Sequence, residues 1–517
     1  MPKNNFANEK LEQLRKLSKL GGGEKRIARQ HEKGKLTARE RLAELLDPAS
    51  FHELEPFVAQ SSSSLKSDNS DSVANGVVTG YAQINGRTVF VYAQDFTVMG
   101  GSLGEMQSHK ICRIMDLAVQ NGSPIIGLID SGGARIQEGV LSLKGYAEIF
   151  RRNSQYSGIV PQISIILGPC AGGAAYSPAL TDFIIMVEKQ SNMFITGPNV
   201  IKEITGEEID FESLGGAQVH MGISGVASLS ANTELESISL CRTLLGYLPS
   251  NNIENPPSIA PSDDPFRIDK ELNTIIPEDE KKPYNMHQVI RRVVDHNSFF
   301  EIQPLFAPHA VVGFARFNGC SVGIVAQEPS ALAGIIDIDA SDKISRFVRF
   351  CDAFNISLVT FVDSPGFLPG INQEHKGIIR HGAKVLYAYS EASVPKVSVI
   401  TRRAFGGAYI VMSSKYLGTD ITYAWPTAEI AVMGAEGAVN ILNRKEIHSS
   451  EDPKALREQL ISDYKENYLT PYTAAKAGII DEVILPSETR VKIISALSVI
   501  KEKHVQNPAR KHGNPPV

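Results

Sequence analysis

The sequence is poor in cysteine, and the five cysteines it has follow no recognisable pattern. They lie at positions 112, 170, 241, 320 and 351, so their number is odd and no two of them form a C-x-x-C pair. Zinc ribbons need such pairs, and disulfide frameworks need an even set of regularly spaced cysteines. The sequence argues against both, and a reducing cytoplasm is the expected location.

Two further absences concern membranes and nucleic acids. No apolar run approaches the roughly 18 to 20 residues that cross a bilayer, and the charged stretch MPKNNFANEKLEQLRKLSK has no apolar signal core. The 57 Asp and Glu residues outnumber the 52 Lys and Arg residues, which gives a net charge of -5. Nucleic-acid-binding proteins are usually basic. We therefore expect neither membrane insertion nor nucleic-acid binding.

The sequence also lacks the short motifs of several enzyme classes. It has no G-x-x-x-x-G-K-[ST] phosphate loop, no G-x-S-x-G nucleophile elbow and no H-E-x-x-H metal site. Ser177 follows a Gly-Gly turn and is a candidate nucleophile. However, the adjacent Pro178 and the lack of a matching serine later in the chain favour a helix start instead.

The sequence does contain a long internal repeat. The stretch VVTGYAQINGRTVFVYAQDF, near the start of the chain, recurs as VVGFARFNGCSVGIVAQEP. Identical residues recur at a constant offset of 233 positions: Gly80 and Gly313, Asn85 and Asn318, Asp130 and Asp363, Ser131 and Ser364. Chance does not hold such a register over a long stretch, so the chain is a duplicated domain.

The stretch SNNIENPPSIAPSDDP, residues 250–265, separates the two copies. Pro, Asn, Ser and Asp replace the apolar periodicity there, as in an interdomain linker. We predict an N-terminal domain over residues 1–260 and a C-terminal domain over residues 266–517. In each, apolar strands such as PIIGLID and SLVTFVD alternate with glycine-rich loops and helical spacing. This alternation predicts an α/β fold with crossover connections.

Two kinds of glycine-rich loop recur in both copies. One is DSGGARIQEG and its counterpart DSPGFLPGINQE, and the other is the Gly-Gly turn of ILGPCAGGAAY and ITRRAFGGAYIVM. The glycines we predict to face a substrate are Gly132, Gly133, Gly172, Gly173, Gly366, Gly406 and Gly407. Glycine lets a substrate approach the backbone, and two N–H groups aimed at one point form an oxyanion hole. The alternative is that these glycines only allow a helix to pack tightly on a strand.

Several long motifs resemble those of one family. In the first copy they are HEKGKLTARERLAELLDP, DSGGARIQEGV and GPCAGGAAYSPALTDFIIMV; in the second they are DSPGFLPGINQEHKGIIRHGAKVLYAYSEA, FGGAYIVMSSK and AWPTAEIAVMGAEGAVNIL. The chain resembles the carboxyltransferase β subunits of biotin-dependent acyl-CoA carboxylases, most closely the propionyl-CoA carboxylase type. The resemblance runs essentially from residue 10 to the end.

The resemblance implies an α/β fold of two duplicated crotonase/ClpP-like domains, each a ββα spiral. The N-terminal domain would hold the acyl-CoA thioester, with its enolate oxygen near Gly172 and Gly173. The C-terminal domain would receive carboxybiotin, with its ureido oxygen near Gly407 and Ala408. Each oxyanion hole would stabilise the negative charge that one step of the carboxyl transfer creates.

The resemblance also implies cofactors and partners. The chain has neither a biotin carboxylase domain nor a biotinyl-lysine motif, so biotin would arrive on a biotin carboxylase or biotin carboxyl carrier subunit. In this family six copies form a ring, and the N-terminal half of one subunit shares an active site with the C-terminal half of another. The second substrate would be a coenzyme A thioester, and no metal is implied.

Coenzyme A carries several phosphate charges, and KRIARQHEKGKLTARER is the densest basic stretch of the chain. We predict that its cations contact those phosphates: Arg29, Lys33, Lys35 and Arg39. The alternative is a solvated helical face on which these cations pair with nearby glutamates. Further candidates lie beside the glycine loops: Arg135, His375 and Lys376.

Ile410 marks a departure from the family pattern. Members that prefer propionyl-CoA carry Asp at the matching position of GGAYDVM, whereas this chain reads GGAYIVM. We predict that Ile410 lines the acyl pocket, where one methylene contributes roughly 1–3 kcal/mol of discrimination. Acetyl-CoA and propionyl-CoA both stay open as acceptors.

Three other functions remain open on the sequence alone. A methylmalonyl-CoA decarboxylase or transcarboxylase subunit would run the same half-reaction in the opposite direction. A duplicated crotonase-like hydratase or isomerase would need a carboxylate at the α and β carbons of the substrate and no biotin. A catalytically silent ring scaffold would tolerate substitution of Gly173.

Overall fold

The computed structural model describes residues 3–58, 76–261, 263–279, 282–505 and 507–516. The chain divides into two compact units, Met1–Glu254 (unit 1) and Asn255–Val517 (unit 2). The division falls inside the proline-rich stretch 250–265. Within the described ranges, no helix has the length and apolar character that a membrane span requires.

Unit 1 opens with three helices and continues with strands and helices in alternation. Its strands are β1 His52–Leu54, β2 Val77–Ile84, β3 Arg87–Gln94, β4 Ile125–Ser131, β5 Gln162–Ala171, β6 Phe183–Val187, β7 Asn192–Phe194 and β8 Leu229–Ala231. Its α-helices are α1 Lys3–Lys19, α2 Glu24–Glu32, α3 Ala38–Leu45, α4 Glu105–Asn121, α5 Val140–Gln155, α6 Gly173–Ala179, α7 Pro198–Thr205, α8 Phe211–Gly215, α9 Ala217–Gly222 and α10 Glu234–Leu245. Short 3₁₀ turns cover Met99–Gly101 and Ile136–Glu138.

The sheet of unit 1 is mixed. Its strands lie in the order β1-β2-β3-β4-β5-β6-β8, and β7 pairs with the end of β5. The first three strands pair antiparallel. From β3 onward the pairs are parallel, with Ile126 of β4 beside Ile163 of β5. Every residue of β4 is buried, as is usual for a parallel strand covered on both faces.

Unit 2 repeats this arrangement. Its strands are β9 Phe300–Ile302, β10 Ala310–Phe317, β11 Cys320–Gln327, β12 Ser357–Ser364, β13 Lys396–Phe405, β14 Ile421–Ala424, β15 Glu429–Ala431 and β16 Glu482–Val483. Its α-helices are α11 Met286–Val293, α12 Ile338–Ala353, α13 Ile371–His375, α14 Ile378–Glu391, α15 Gly406–Val411, α16 Ala435–Leu442, α17 Arg444–Ser449, α18 Pro453–Tyr464, α19 Pro471–Lys476 and α20 Thr489–Ile500. Its 3₁₀ turns are Lys270–Thr274, Leu332–Gly334, Lys415–Leu417 and Pro486–Glu488, and a π-helical turn covers Lys465–Leu469.

The second sheet has the order β16-β14-β13-β12-β11-β10-β9, and β15 pairs with the end of β13. Register matches as well as order: Ser131 lies beside Cys170 in unit 1, and Ser364 lies beside Ala404 in unit 2. The duplication and the α/β fold that the sequence predicted are therefore confirmed. The equivalent positions differ by 233 up to β4 and by 234 from β5 onward.

Helices cover each sheet with one apolar face. In α4 the buried residues Ile111, Ile114, Met115 and Ala118 recur every three or four positions, the spacing of an amphipathic helix. Burying each large apolar side chain stabilises the fold by about 1.5–3 kcal/mol. The cores hold the sheets rigid, so the loops at the strand ends are presented on a fixed frame.

Candidate active site

The first Gly-Gly turn joins the end of β5 to α6. Gly172 has φ 60° and ψ −127°, a backbone conformation that only glycine adopts readily. Its N–H donates to the carbonyl of Phe194 in β7 at 3.0 Å, so Gly172 provides the turn and its N–H is already bonded. The N–H groups of the next residues begin a helix, where the first turn has no intrahelical acceptors.

The second Gly-Gly turn has the same construction in unit 2. β13 ends at Phe405, Gly406 has φ 56°, and α15 begins. Because Gly172 corresponds to Gly406, the residues equivalent to Gly407 and Ala408 are Gly173 and Ala174. The two donor pairs predicted from the sequence, Gly172 with Gly173 and Gly407 with Ala408, are thus one residue out of register with each other.

An aromatic ring lies behind each turn, but it comes from a different place in the two units. A Cβ added at Gly173 would lie 3.1 Å from the ring of Tyr146 in α5. A Cβ added at Gly407 would lie 3.6 Å from the ring of Phe367, which follows Gly366 in the loop after β12. Glycine keeps both turns in close contact with the ring behind them.

The loops after β4 and β12 lie next to these turns. Gly133 has φ 102°, and a Cβ there would lie 2.8 Å from the carbonyl oxygen of Ala171, the last residue of β5. Gly132 donates its N–H to the carbonyl of Gly100 at 2.9 Å. In unit 2 the carbonyl of Gly366 accepts from Ile336 at 3.1 Å. The structure therefore brings the two predicted glycine loops of each copy together.

Two of the four predicted phosphate contacts line one cavity of unit 1. The cavity has a volume of about 330 Å³, and its lining includes Arg26, Arg29, Gln30, Lys33, Phe96 and Gly100. Three cations at one cavity suit a polyphosphate ligand. Arg26 was not predicted, although it belongs to the same basic stretch.

The other two predicted phosphate contacts, Lys35 and Arg39, have carboxylate partners within unit 1. Lys35 is buried, and its Nζ lies 2.7 Å from Oδ2 of Asp130. Arg39 donates to both carboxylate oxygens of Glu53, at 2.8 and 2.9 Å. Both cations are held by partners within unit 1, and Lys35 is not on the surface of the cavity.

Asp130 is fully buried at the end of β4, and it was not among the site residues predicted from the sequence. Its Oδ2 accepts from Lys35 and, at 2.9 Å, from Arg41. Arg41 also donates to Glu234 at 2.7 and 2.9 Å. The capping box of Thr37 and Glu40 starts α3 at Ala38, which places Arg41 on the inner side. The recurrence of Asp130 as Asp363 was the signal that could have revealed it.

The remaining candidates have varied surroundings. The guanidinium of Arg135 is buried and donates to Glu138 at 2.9 Å and to the carbonyl of Ser102 at 3.0 Å, so it supports the loop. His375 and Lys376 are exposed at the end of α13. Ile410 is 48% exposed and lies within one helical turn of Gly407.

The nucleophile alternative does not fit the surroundings of Ser177. Its side chain is buried, and its Oγ donates to Oδ1 of Asn153 at 2.9 Å. Burial raises the pKa of the nearby Tyr92 hydroxyl, so that group stays protonated and cannot activate Ser177 as a base. The predicted helix start at Ser177 is wrong as well, because α6 begins at Gly173 and Ser177 lies in its last turn.

Fold and site together define an α/β enzyme with two equivalent glycine turns suited to oxyanions. A family model described as the carboxyl transferase domain matches residues 29–515. The chain belongs to the carboxyl transferase family, as a biotin-dependent acyl-CoA carboxyltransferase of the propionyl-CoA carboxylase type.

Similar proteins match over nearly their whole length. The chain is 56% identical over 509 residues to the propionyl-CoA carboxylase carboxyltransferase subunit of Haloferax mediterranei, covering 98% of this chain and 99% of that protein. It is 54% identical over 512 residues to methylmalonyl-CoA decarboxylase subunit alpha of Veillonella parvula, with 98% and 99% coverage. The crystal structure of transcarboxylase 12S with methylmalonyl-coenzyme A bound matches with a TM-score of 0.96 at 52% identity, covering 98% of each chain. The predicted crotonase-like fold is confirmed by this match.

Proposed function

We propose that the chain transfers a carboxyl group from carboxybiotin, carried by a partner subunit, to the α-carbon of a short acyl-CoA. The N-terminal domain, predicted over residues 1–260, binds the acyl-CoA. The C-terminal domain, predicted over residues 266–517, binds the carboxybiotin. The observation that carries this proposal is the pair of equivalent Gly-Gly turns, because the reaction creates negative charge on two different oxygens.

In unit 1 the N–H groups of Gly173 and Ala174 face the thioester oxygen and stabilise the charge that develops on it when the α-proton leaves. A donor of this kind contributes roughly 2.7–4 kcal/mol in the transition state. Gly172 shapes the turn while its own N–H stays bonded to Phe194. Gly132 and Gly133 leave room for the thioester beside the turn.

In unit 2 the N–H groups of Gly407 and Ala408 face the ureido oxygen of biotin, and Gly366 and Gly406 leave room beside it. The residues fit such a group, since a Cβ at Gly407 would meet only the Phe367 ring, at 3.6 Å or beyond. Bound carboxybiotin supplies the carboxyl group and, once it has given up that group, a base for the α-proton. This chain holds the ureido oxygen in place and stabilises its charge.

Coenzyme A binds through its phosphates at the cavity of Arg26, Arg29 and Lys33. The cations there offer charge-assisted hydrogen bonds to phosphate oxygens. Phe96 lines the same cavity and offers an apolar face. The nucleotide end of the substrate is thereby anchored away from the reacting carbon.

The acceptor is propionyl-CoA, acetyl-CoA or both, and Ile410 contributes to the choice. Its apolar side chain replaces the Asp of propionyl-preferring members of the family. Several proteins more than 50% identical to this chain are described as propionyl-CoA carboxylase chains. This similarity supports the carboxylation direction. The decarboxylases of Veillonella parvula and Propionigenium modestum, at 54% and 52% identity, are the reason the opposite direction stays an alternative.

The expected assembly is a homo-hexamer that works with a biotin carboxylase or biotin carboxyl carrier subunit in the cytoplasm. The matching structure of transcarboxylase 12S is described as a hexamer assembly. In such a ring, unit 1 of one subunit and unit 2 of another form one active site.

The test uses this chain with free biotin and follows loss of CO₂ from malonyl-CoA and from methylmalonyl-CoA. Turnover that depends on biotin is expected with at least one substrate, and the faster substrate reports the acyl pocket. Turnover of equal rate without biotin would instead support a hydratase-like or other crotonase chemistry. If the folded oligomer turns over neither substrate, either the catalytic proposal fails or a partner subunit must complete the site. Unchanged activity in Gly173→Val would favour the scaffold alternative.

A further inference from the structure

Hydrogen bonds connect the phosphate cavity of unit 1, lined by Arg26, Arg29 and Lys33, to the Gly132–Gly133 loop. The carbonyl of Gly100, which lines the cavity, accepts the N–H of Gly132 at 2.9 Å. Nε2 of Gln30, another lining residue, donates to Oδ2 of Asp130 at 3.3 Å. Asp130 is followed directly by Ser131 and the two loop glycines. The cavity is therefore joined to the loop at two points.

Lys35 lies between the cavity and the loop. Together with Arg41, Asp130 and Glu234 it forms a buried charge cluster, which we call the junction. Its Nζ is 2.7 Å from Oδ2 of Asp130 and 5.1 Å from the centroid of the Phe96 ring, which lines the cavity. Gly168 in β5 lies on a third side of the Lys35 ammonium group, since a Cβ at Gly168 would lie 2.5 Å from Nζ. A cation over an aromatic face and beside a carboxylate is attracted to both. The position of the ammonium is thus set by the strand, the cavity and the end of β4.

The junction is balanced in charge and closed to solvent. Lys35 and Arg41 supply two cations, and Asp130 and Glu234 supply two carboxylates, with side chains no more than 10% exposed. A buried charge that loses its partner is strongly destabilised, so these four groups keep one arrangement. Burial lowers the pKa of Lys35, and the Asp130 carboxylate opposes that change.

We propose that Lys35 and Asp130 are positioning residues that fix the phosphate cavity relative to the Gly132–Gly133 loop. Binding of the nucleotide end of coenzyme A then places the thioester carbonyl correctly at the reacting end. Enzymes commonly use binding energy from remote parts of a substrate to orient the reacting group. This inference rests on the proposed function, in which an acyl-CoA is the substrate of unit 1.

The experiment compares two thioesters in the biotin-dependent loss of CO₂. Malonyl-CoA engages the cavity, whereas malonyl-N-acetylcysteamine has no nucleotide and cannot. For Lys35→Met we expect kcat for malonyl-CoA to fall at least tenfold, while kcat for the short thioester changes by less than twofold. The affinity for coenzyme A, measured by calorimetry, should change by less than threefold, because Arg29 and Lys33 remain.

Two further variants cover the case in which Lys35→Met does not fold. The double variant Lys35→Met with Asp130→Asn removes one charge of each sign. Gln30→Met leaves every charge in place and removes the hydrogen bond from Gln30 to Asp130. Both are expected to lower kcat for malonyl-CoA more than for the short thioester. The matched control is Lys144→Met, which removes an exposed lysine paired with Glu105 in the same unit and should leave both rates unchanged.

An equal fall with both thioesters would overturn the proposal, because it would mean that Lys35 only stabilises unit 1. Unchanged kinetics in the folded variants would overturn it as well, since the junction would then have no part in orientation. Failure of the proposed function is separate: there the unsubstituted chain itself shows no biotin-dependent turnover.

Discussion

Both units bury one aspartate at the end of an inner strand, and they neutralise it in different ways. In unit 2 the two oxygens of Asp363 are divided between Arg402 at 2.9 Å and Arg403 at 3.0 Å, which lie on the neighbouring strand β13. In unit 1 Oδ2 of Asp130 takes both cations, Lys35 and Arg41, which come from the region of α2 and α3.

Gly168 accounts for the difference. It occupies the position in β5 that Arg402 occupies in β13, and a Cβ there would lie 2.0 Å from Oδ1 of Asp130. With no side chain at this position, the space is filled by a lysine from outside the sheet. The two repeats therefore keep the same buried aspartate with different cations. In unit 1 these cations connect the N-terminal segment of α2 and α3 to the sheet.

The largest expected effect is on stability, and it should separate the two units. Arg41→Met leaves Lys35 paired with Asp130 but takes away the guanidinium that bonds both oxygens of the buried Glu234, which costs about 3–5 kcal/mol. Arg402→Met should cost less, because Arg403 still pairs with Asp363 and no second buried carboxylate loses its cation. Hydrogen exchange followed by mass spectrometry should show faster exchange in β4 and β5 for the first variant and a smaller change in β12 and β13 for the second. Equal loss in both units would contradict this account of the two aspartates.

The next effect concerns the two Gly-Gly turns. Gly173→Ala brings a methyl group to 3.1 Å from Tyr146, whereas Gly407→Ala leaves 3.6 Å to Phe367. We expect Gly173→Ala to lower kcat about tenfold to a hundredfold, since displacing one donor costs part of its roughly 2.7–4 kcal/mol. Gly407→Ala should have a smaller effect, expressed mainly in the KM for free biotin. Steady-state kinetics in both substrates checks the order, and a reversed order would rule out these ring contacts as its cause.

A further pH effect is expected from His287 in unit 2. Hydrogen bonds from His287 to Glu301 and Glu328, at 3.0 and 2.9 Å, raise the pKa of His287 to about 9. Because the folded pKa lies above the unfolded value, this stabilisation is complete below about pH 6.5 and is lost as pH rises towards 9.

The contribution of His287 to unit 2 stability should fall by about 1–2 kcal/mol over this range, after allowance for partial solvent screening. Burial lowers the pKa values of Lys343 and Lys396 in the same unit to about 7 and about 8, and these groups make stability rise with pH. The His287 contribution is therefore measured as the difference between the chain and His287→Gln, from urea unfolding followed by hydrogen exchange at pH 6.5 and pH 9. The substitution should shift the change in unit 2 stability by this amount in the positive direction and leave unit 1 as it was. The same slope in the variant would show that another group is responsible.

The smallest effect distinguishes cations within unit 1. Arg39→Gln removes a partly exposed pair with Glu53, which contributes less than about 1 kcal/mol, so KM for the acyl-CoA should change by less than twofold. Arg29→Gln, in the cavity, should raise the same KM about tenfold because a direct phosphate contact is lost. If Arg39→Gln raised KM as much as Arg29→Gln, the assignment of the phosphate cavity would be wrong.

The sequence was sufficient for the repeat, the strands and the glycine loops, because each of these is written in local residue patterns. Two of the predicted phosphate contacts, Arg29 and Lys33, line one cavity. Lys35 and Arg39 look like their exposed neighbours in the sequence, which gives no sign that both are paired inside unit 1. What separates them is a partner, and Asp130 is nearly a hundred positions away from Lys35.

The hydrogen bond of Gly172 was hidden in the same way. Its acceptor, Phe194, belongs to the short strand β7, whose pairing with the end of β5 depends on the folded sheet. No periodicity in a three-residue strand reveals such a pairing. As a result, the sequence located the turn but could not show that the N–H of Gly172 is bonded to Phe194.

Gly168 has a consequence for how the two repeats diverged. Arginine at this position would compete with Lys35 for one space, and glycine without Lys35 would leave Asp130 one cation short. Each substitution is therefore unfavourable without the other, and we expect the effects of the two positions on stability to be epistatic, even though the two sheets share one register.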